Sequence, residues 1–167
     1  GNRVYTVNQG PYLLVEFADY AIPPQLTDML HQFRLKGIIP VITHPERNPI
    51  LQRRDLTLLR QLIAMGCAVQ VTAGALLGRF GERAQEAVET LLQNEMVHMV
   101  ASDAHGVERR APRLSQAYAE VERSFGSDRA RALFRDNPRA VVDGEPLPHF
   151  PEPAAPERKR WFNFFSG

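Results

Sequence analysis

Four short apolar runs recur along the chain, each separated from the next by a stretch of helical periodicity. Residues 12–17, 38–43, 67–72 and 97–101 are rich in aliphatic side chains and bounded by turn formers, the pattern of buried strands. Residues 23–35 open on two prolines, which suit the first turn of a helix, and Gly37 sits where such a helix ends. Residues 53–65 place Leu56, Leu59, Leu62 and Ile63 on one face, and Gly66 closes that helix. Residues 81–94 predict the next helix. Two more, at 112–125 and 128–135, follow the fourth strand, the last expected to end at Asn137-Pro138.

Strand and helix alternating in this way predict an α/β fold with a parallel sheet, either open or closed into a barrel. No internal repeat is present. The character changes after Leu147, which divides the chain into a body, 1–147, and a tail, 148–167. The tail is rich in proline and then runs Arg158-Lys159-Arg160-Trp161-Phe162-Asn163-Phe164-Phe165. That composition predicts disorder. The competing reading is a peripheral anchor on an acidic membrane, or a docking peptide, since basic residues beside Trp and Phe suit an interface.

Composition narrows the class. A length of 167 residues fits one domain, and 44% hydrophobic content is enough for a real core. The formal net charge of +1 gives no global field to recruit nucleic acid, so no nucleic-acid partner is expected. Cys67, the one cysteine, rules out an internal disulfide and fits a reducing compartment. No apolar run is long enough to span a bilayer, and nothing near Gly1 reads as a signal peptide, so the expected location is the cytoplasm. The chain begins at Gly1, without Met and close to its first strand, as a fragment or a processed chain would.

The strand tips carry the chemistry. Glu16 lies inside the first apolar run, where a carboxylate is costly unless paired or coordinated. His44 follows the second strand, and Pro45 is expected to hold it extended at the tip. The third strand ends in Gln70-Val71-Thr72, with neutral groups only. After the fourth come Asp103 and His105, a carboxylate and an imidazole two residues apart. In parallel α/β folds, sites are built at the carboxyl ends of strands. Mixed oxygen and nitrogen donors without a thiolate suit manganese, iron or zinc. Each residue also has a plain structural alternative: an ion pair for Glu16, a hydrogen-bonded turn for His44, a helix cap for Asp103. Their recurrence at one end of consecutive strands favours a shared site. Arg47, Arg109 and Arg110 flank the same tips, and guanidinium is a preferred fork for phosphate oxygens. Metal donors edged by arginines suggest hydrolysis of a phosphate ester. A cysteine-dependent phosphatase is excluded because position 73, six residues after Cys67, is Ala rather than Arg. Cys67 therefore reads as a small core residue.

Leu14-Val15-Glu16-Phe17, Thr43-His44-Pro45-Glu46-Arg47, Gln70-Val71-Thr72-Ala73-Gly74 with Gly78 and Phe80-Gly81, and Ser102-Asp103-Ala104-His105 together resemble a known family. It is that of the bacterial metal-dependent tyrosine phosphatases of capsule and exopolysaccharide synthesis, in the polymerase and histidinol phosphatase (PHP) superfamily. The resemblance runs to about Leu147. It implies the carboxyl-terminal part of a distorted seven-stranded β/α barrel, with a divalent, manganese-like metal cluster at the carboxyl ends of the strands. By motif, Glu16, His44, Asp103 and His105 would be metal ligands, and Arg47 and Arg110 would bind phosphate. The implied substrate is a phosphotyrosine protein, notably a tyrosine autokinase controlling polysaccharide export.

Members of that family start with a strand carrying His-x-His. Here no histidine precedes His31 and no His-x-His occurs, and Ala75 stands where relatives often carry serine. The chain on its own is therefore expected to bind metal weakly and to expose strand edges that favour self-association. Two alternatives to the tyrosine phosphatase reading are another phosphoesterase of the superfamily, acting on histidinol phosphate or nucleic-acid ends, and an inactive truncated scaffold.

Overall fold

A computed structural model describes residues 5–18, 21–52, 56–108 and 110–153. Its strands are β1 (Tyr12–Val15), β2 (Ile39–Thr43), β3 (Ala68–Thr72) and β4 (Met99–Ala101), one on each predicted run. They form a single sheet in the order β1-β2-β3-β4, every neighbouring pair parallel. Helix α1 (Leu26–Leu35) connects β1 to β2, and α2 (Thr57–Ala64) connects β2 to β3. The single turn α3 (Ala73–Leu76) and then α4 (Glu82–Gln93) lead to β4. Parallel strands need such crossovers, so the predicted α/β class is observed.

Alternation along the strands sends side chains to two different layers. Ile42, Val69, Val71 and Val100 join Leu30, Leu59, Leu62, Val88, Leu92 and Val121 in the main core. Tyr12, Val41, Ala68 and Met99 point to the other face, where Val141 and Leu147 cover them. That cover is incomplete. Leu14, on the same face as Tyr12 and paired in register with Val41, is 54% exposed on the outer strand. Cys67 is fully buried just before β3, and burial pushes its thiol up to about 11, as suits a core residue rather than a nucleophile.

Two expectations need correction. β1 ends at Val15, so Glu16 lies beyond the strand, and its side chain is 70% exposed rather than buried. The chain also does not leave the helical path at Asn137-Pro138. After α5 (Ser115–Phe125), α6 (Ser127–Arg131) passes through a π-helical turn at Ala132–Asp136 into α7 (Asn137–Asp143). Pro138 falls in the first turn of α7, where its missing N–H costs least.

Beyond 147 the chain stays on the body for a few residues. Asn137 donates from Nδ2 to the His98 and His149 carbonyls (2.7 and 2.6 Å) and accepts from the His149 N–H (3.0 Å). The Phe150 ring rests on His98 with centroids 4.2 Å apart. The basic and aromatic tail segment lies outside the described residues. Among those described, no helix is long and apolar enough to cross a membrane.

Candidate functional site

Because all four strands run the same way, their carboxyl ends share one rim. Glu16 follows β1, His44 follows β2, Thr72 ends β3, and Asp103 and His105 follow β4. His44 is not extended as expected from Pro45. It sits in the left-handed region at φ 35°, ψ 51°. Its N–H donates to the Gln70 carbonyl (2.7 Å), and its own carbonyl accepts from the Arg47 N–H (3.0 Å). One residue must turn the chain from strand to the 3-10 turn Pro45–Arg47. A left-handed residue does so while avoiding the right-handed helical region that a following proline disfavours. The imidazole Nε2 then stands 3.4 Å from Glu16 Oε1.

Arg47, at the end of that turn, reaches past β3 to the other half of the rim. Its Nη1 donates to Asp103 Oδ2 (3.0 Å), and Arg110 Nη2 donates to the same oxygen. Two guanidiniums thus meet on one anionic oxygen. Asp103 and Arg110 are themselves left-handed, at φ 51° and 52°. Such residues are uncommon outside glycine, and they concentrate where a site rather than the fold dictates the backbone. His105 donates its N–H to the Arg110 carbonyl (3.0 Å), which closes this loop. Its ring Nδ1 lies 2.8 Å from the Asp103 carbonyl. A carbonyl can only accept, so Nδ1 carries a proton and Nε2 is the nitrogen left for another partner. The side chain is 60% exposed.

Glu46 lies in the motif Thr43-His44-Pro45-Glu46-Arg47 and is central to the rim. It is completely buried, and its Oε1 accepts from both the N–H and the hydroxyl of Thr72 (2.9 and 2.8 Å). Thr72 Oγ1 in turn accepts from the Ala75 N–H, capping α3. The chain of bonds pins the turn holding His44 and Arg47 to the tip of β3. Burial raises the Glu46 carboxyl above its usual range, while the Thr72 hydrogen bonds oppose the shift. The signal lay in the motif, but Thr72 is twenty-six residues away and no local pattern pairs them.

The donors fit a divalent cation in their chemistry. The proton placement on His105 is that of a metal-binding histidine, whose second nitrogen bonds a carbonyl and whose first is left open. Glu16 and His44 supply an oxygen and a nitrogen side by side. Glu16 thus approaches His44, while Asp103 approaches His105 and both arginines. Among the described residues no group of three or more His, Cys, Asp or Glu side chains gathers closely enough to hold an ion. The rim therefore offers two half-sites rather than the single convergence expected from sequence. Arg109 lies outside the described residues.

A parallel α/β sheet with oxygen and nitrogen donors and paired guanidiniums along its carboxyl rim has the chemistry to bind a phosphate. The chain belongs to the family of capsular polysaccharide synthesis proteins CpsB/CapC, which it matches over residues 1–143. It is 34% identical to the tyrosine-protein phosphatase YwqE of Bacillus subtilis (strain 168), over 98% of this chain and 63% of that protein. It is 34% identical to the tyrosine-protein phosphatase CpsB of Streptococcus pneumoniae, over 84% of this chain and 59% of that protein. A crystal structure from work on YwqE and CpsB, described as unique metal-dependent tyrosine phosphatases, superposes with a TM-score of 0.83 at 33% identity. That match covers 92% of this chain and 61% of the solved one. The chain thus spans about three-fifths of the length of the relatives it matches.

Proposed function

We propose that this chain carries the carboxyl-terminal part of the active site of a metal-dependent protein-tyrosine phosphatase. Its substrate would be phosphotyrosine on a cytoplasmic partner autokinase that regulates capsule or exopolysaccharide synthesis. The observation that carries this reading is the meeting of Arg47 and Arg110 on one Asp103 oxygen, beside the Glu16–His44 pair. Two planar forks from separate loops, aimed at one point, suit the several oxygens of a phosphoryl group. Held there, they would offset the charge that builds on those oxygens in the transition state.

Glu16, His44, Asp103 and His105 are the residues that would hold the divalent cations, with manganese the first choice and iron or zinc next. Bound cations would supply Lewis-acid polarisation of the phosphate and its attacking water. His105 is held for such a role by the Asp103 carbonyl, and His44 by its backbone bonds to Gln70 and Arg47. An aryl phosphate suits the site because its leaving group is a phenolate, whose parent pKa of about 10 lies far below that of an alkyl alcohol. Departure then asks for little proton donation.

The test uses the full-length protein with added manganese, offered a phosphotyrosine peptide and histidinol phosphate in parallel. Turnover of the peptide, lost on chelation and restored by manganese, is the expected result. Preferential hydrolysis of histidinol phosphate, or turnover indifferent to chelator, would overturn the reading.

A further inference from the structure

The two arginines share a neighbour that is neither charged nor a metal donor. The Arg47 guanidinium carbon lies 4.7 Å above the centre of the Phe80 ring, and that of Arg110 lies 5.7 Å from it. Phe80 comes from the loop between α3 and α4, so the ring joins groups from three separate connections. The loop is held to α3 by backbone bonds from the Arg79 N–H to the Gly74 carbonyl (2.8 Å) and from the Gly78 N–H to the Ala75 carbonyl (2.9 Å). Gly74 lets the ring come this close, since a Cβ there would stand 2.7 Å from Phe80 Cε2. Asp103 takes both arginines on one oxygen, but an arriving phosphate would compete for those same donors. An aromatic face attracts a guanidinium without consuming its N–H groups.

We infer that Phe80 is a positioning residue, whose ring holds Arg47 and Arg110 side by side so that their N–H forks can turn together from Asp103 to one phosphate. The inference deepens the phosphatase reading and rests on it only for the identity of the substrate. Its core is the binding of a phosphate dianion by a preorganised arginine pair.

The experiment compares wild type with F80L, F80Y and G74A in the full-length protein. It reads binding of inorganic phosphate by calorimetry, kcat and KM on a phosphotyrosine peptide, and the thermal midpoint. F80L keeps an apolar side chain but removes the ring's charge distribution. It is expected to weaken phosphate binding about tenfold, the scale of two cation–π contacts, and to raise KM more than it lowers kcat. F80Y should restore most of the affinity. G74A leaves Phe80 in the sequence but displaces the ring, and alanine is favoured in a helical turn. It should therefore weaken phosphate binding, and because the displaced ring also packs on the core, binding measured well below each thermal midpoint separates positioning from folding.

Wild-type affinity in F80L and G74A would overturn the inference, as would failure of the wild-type protein to bind phosphate. Weakened binding of the peptide with unchanged binding of inorganic phosphate would overturn it too, since Phe80 would then be touching the substrate ring. If the wild type binds phosphate, the variants weaken it, and no phosphotyrosine peptide is hydrolysed, then the phosphatase reading fails while the role of Phe80 stands.

Discussion

Strand β4 has a histidine near each end, and the two are wired in opposite ways. His98, just before the strand, is completely buried against Phe150. Its Nδ1 accepts from the Val69 N–H (3.1 Å), so its lone pair is already used and the proton sits on Nε2. Burial, and after it the neighbouring His149, lower its pKa to about 3, so the ring is neutral. His105, after the strand, donates from Nδ1 and leaves Nε2 for another partner on an exposed side chain. The same side chain is structural at one end and available at the other because the backbone takes its acceptor in one case and its donor in the other. The surroundings differ in the same sense. At the amino end Asn137 bonds the His98 and His149 backbone at short range, and both imidazole Nε2 atoms are buried away from any partner. At the carboxyl end Glu16, Arg47, Asp103 and Arg110 are exposed in part, and His44, Asp103 and Arg110 stand in the left-handed region. Such residues cost on the order of 1–3 kcal/mol each, and the rest of the fold offsets that cost.

Damage at the two ends should therefore separate activity from stability. Arg47→Ala or Arg110→Ala should lower kcat/KM on a phosphotyrosine peptide by about a hundredfold to a thousandfold, the scale of a lost oxyanion donor. The thermal midpoint should move by no more than about 2 °C, because about a third of each side chain is exposed and in either variant Asp103 keeps the other arginine. Asn137→Ala should do the reverse. It strands the His149 N–H and two carbonyls, so denaturant titration should show a loss of about 2–4 kcal/mol with kcat/KM unchanged in the folded fraction. An Asn137 variant that folds normally but turns over no substrate would erase the distinction between the ends.

The same contrast explains what could be read in advance. Four aliphatic runs between helical stretches were enough for four parallel strands, because burial on both faces requires that pattern in any α/β sheet. Placing Glu16, His44, Asp103 and His105 on one rim followed from strand direction alone. Their environment did not. Glu16 sits in an apolar run, yet β1 is an outer strand that ends one residue earlier, so the side chain reaches water. His44 turns left-handed because the ladder to β3 and the following turn both claim its backbone. Glu46 and Phe80 were hidden, since Thr72 and the arginines that define their roles come from other loops. Pro138 reads equally as the end of one helix or the first turn of the next, and here it opens α7.

Acid should sharpen the comparison through the buried histidine at the amino end. His98 titrates at about 3 in the folded chain against 6.5 when unfolded. Between those values the unfolded state binds the extra proton, so stability falls as pH falls through this window and is fully regained above 6.5. From pH 6.5 down to 5 the loss from this one group should be about 2 kcal/mol. His98→Gln keeps an acceptor for the Val69 N–H without a titrating ring. Denaturant midpoints measured across that range should be flatter in the variant than in wild type. Equal slopes would mean that His98 is not the group that couples protons to folding.

The smallest effect tests whether the two ends communicate through the sheet. Tyr12 begins β1 at the amino end, is almost fully buried, and donates its hydroxyl to the Glu145 carbonyl after α7 (2.7 Å). Glu145 is itself exposed, so water can replace the lost donor at its carbonyl. Tyr12→Phe keeps the ring against Val41, Met99 and Val141 and removes only that bond. The expected cost is about 1 kcal/mol in denaturant titration, the net worth of one hydrogen bond. Phosphate affinity and kcat/KM should be unchanged, because β1 reaches the rim only through Glu16, four residues further on, and the strand's pairing with β2 does not involve the hydroxyl. A drop in phosphate affinity in this variant would show that the arginine pair depends on how the far end of the sheet is anchored.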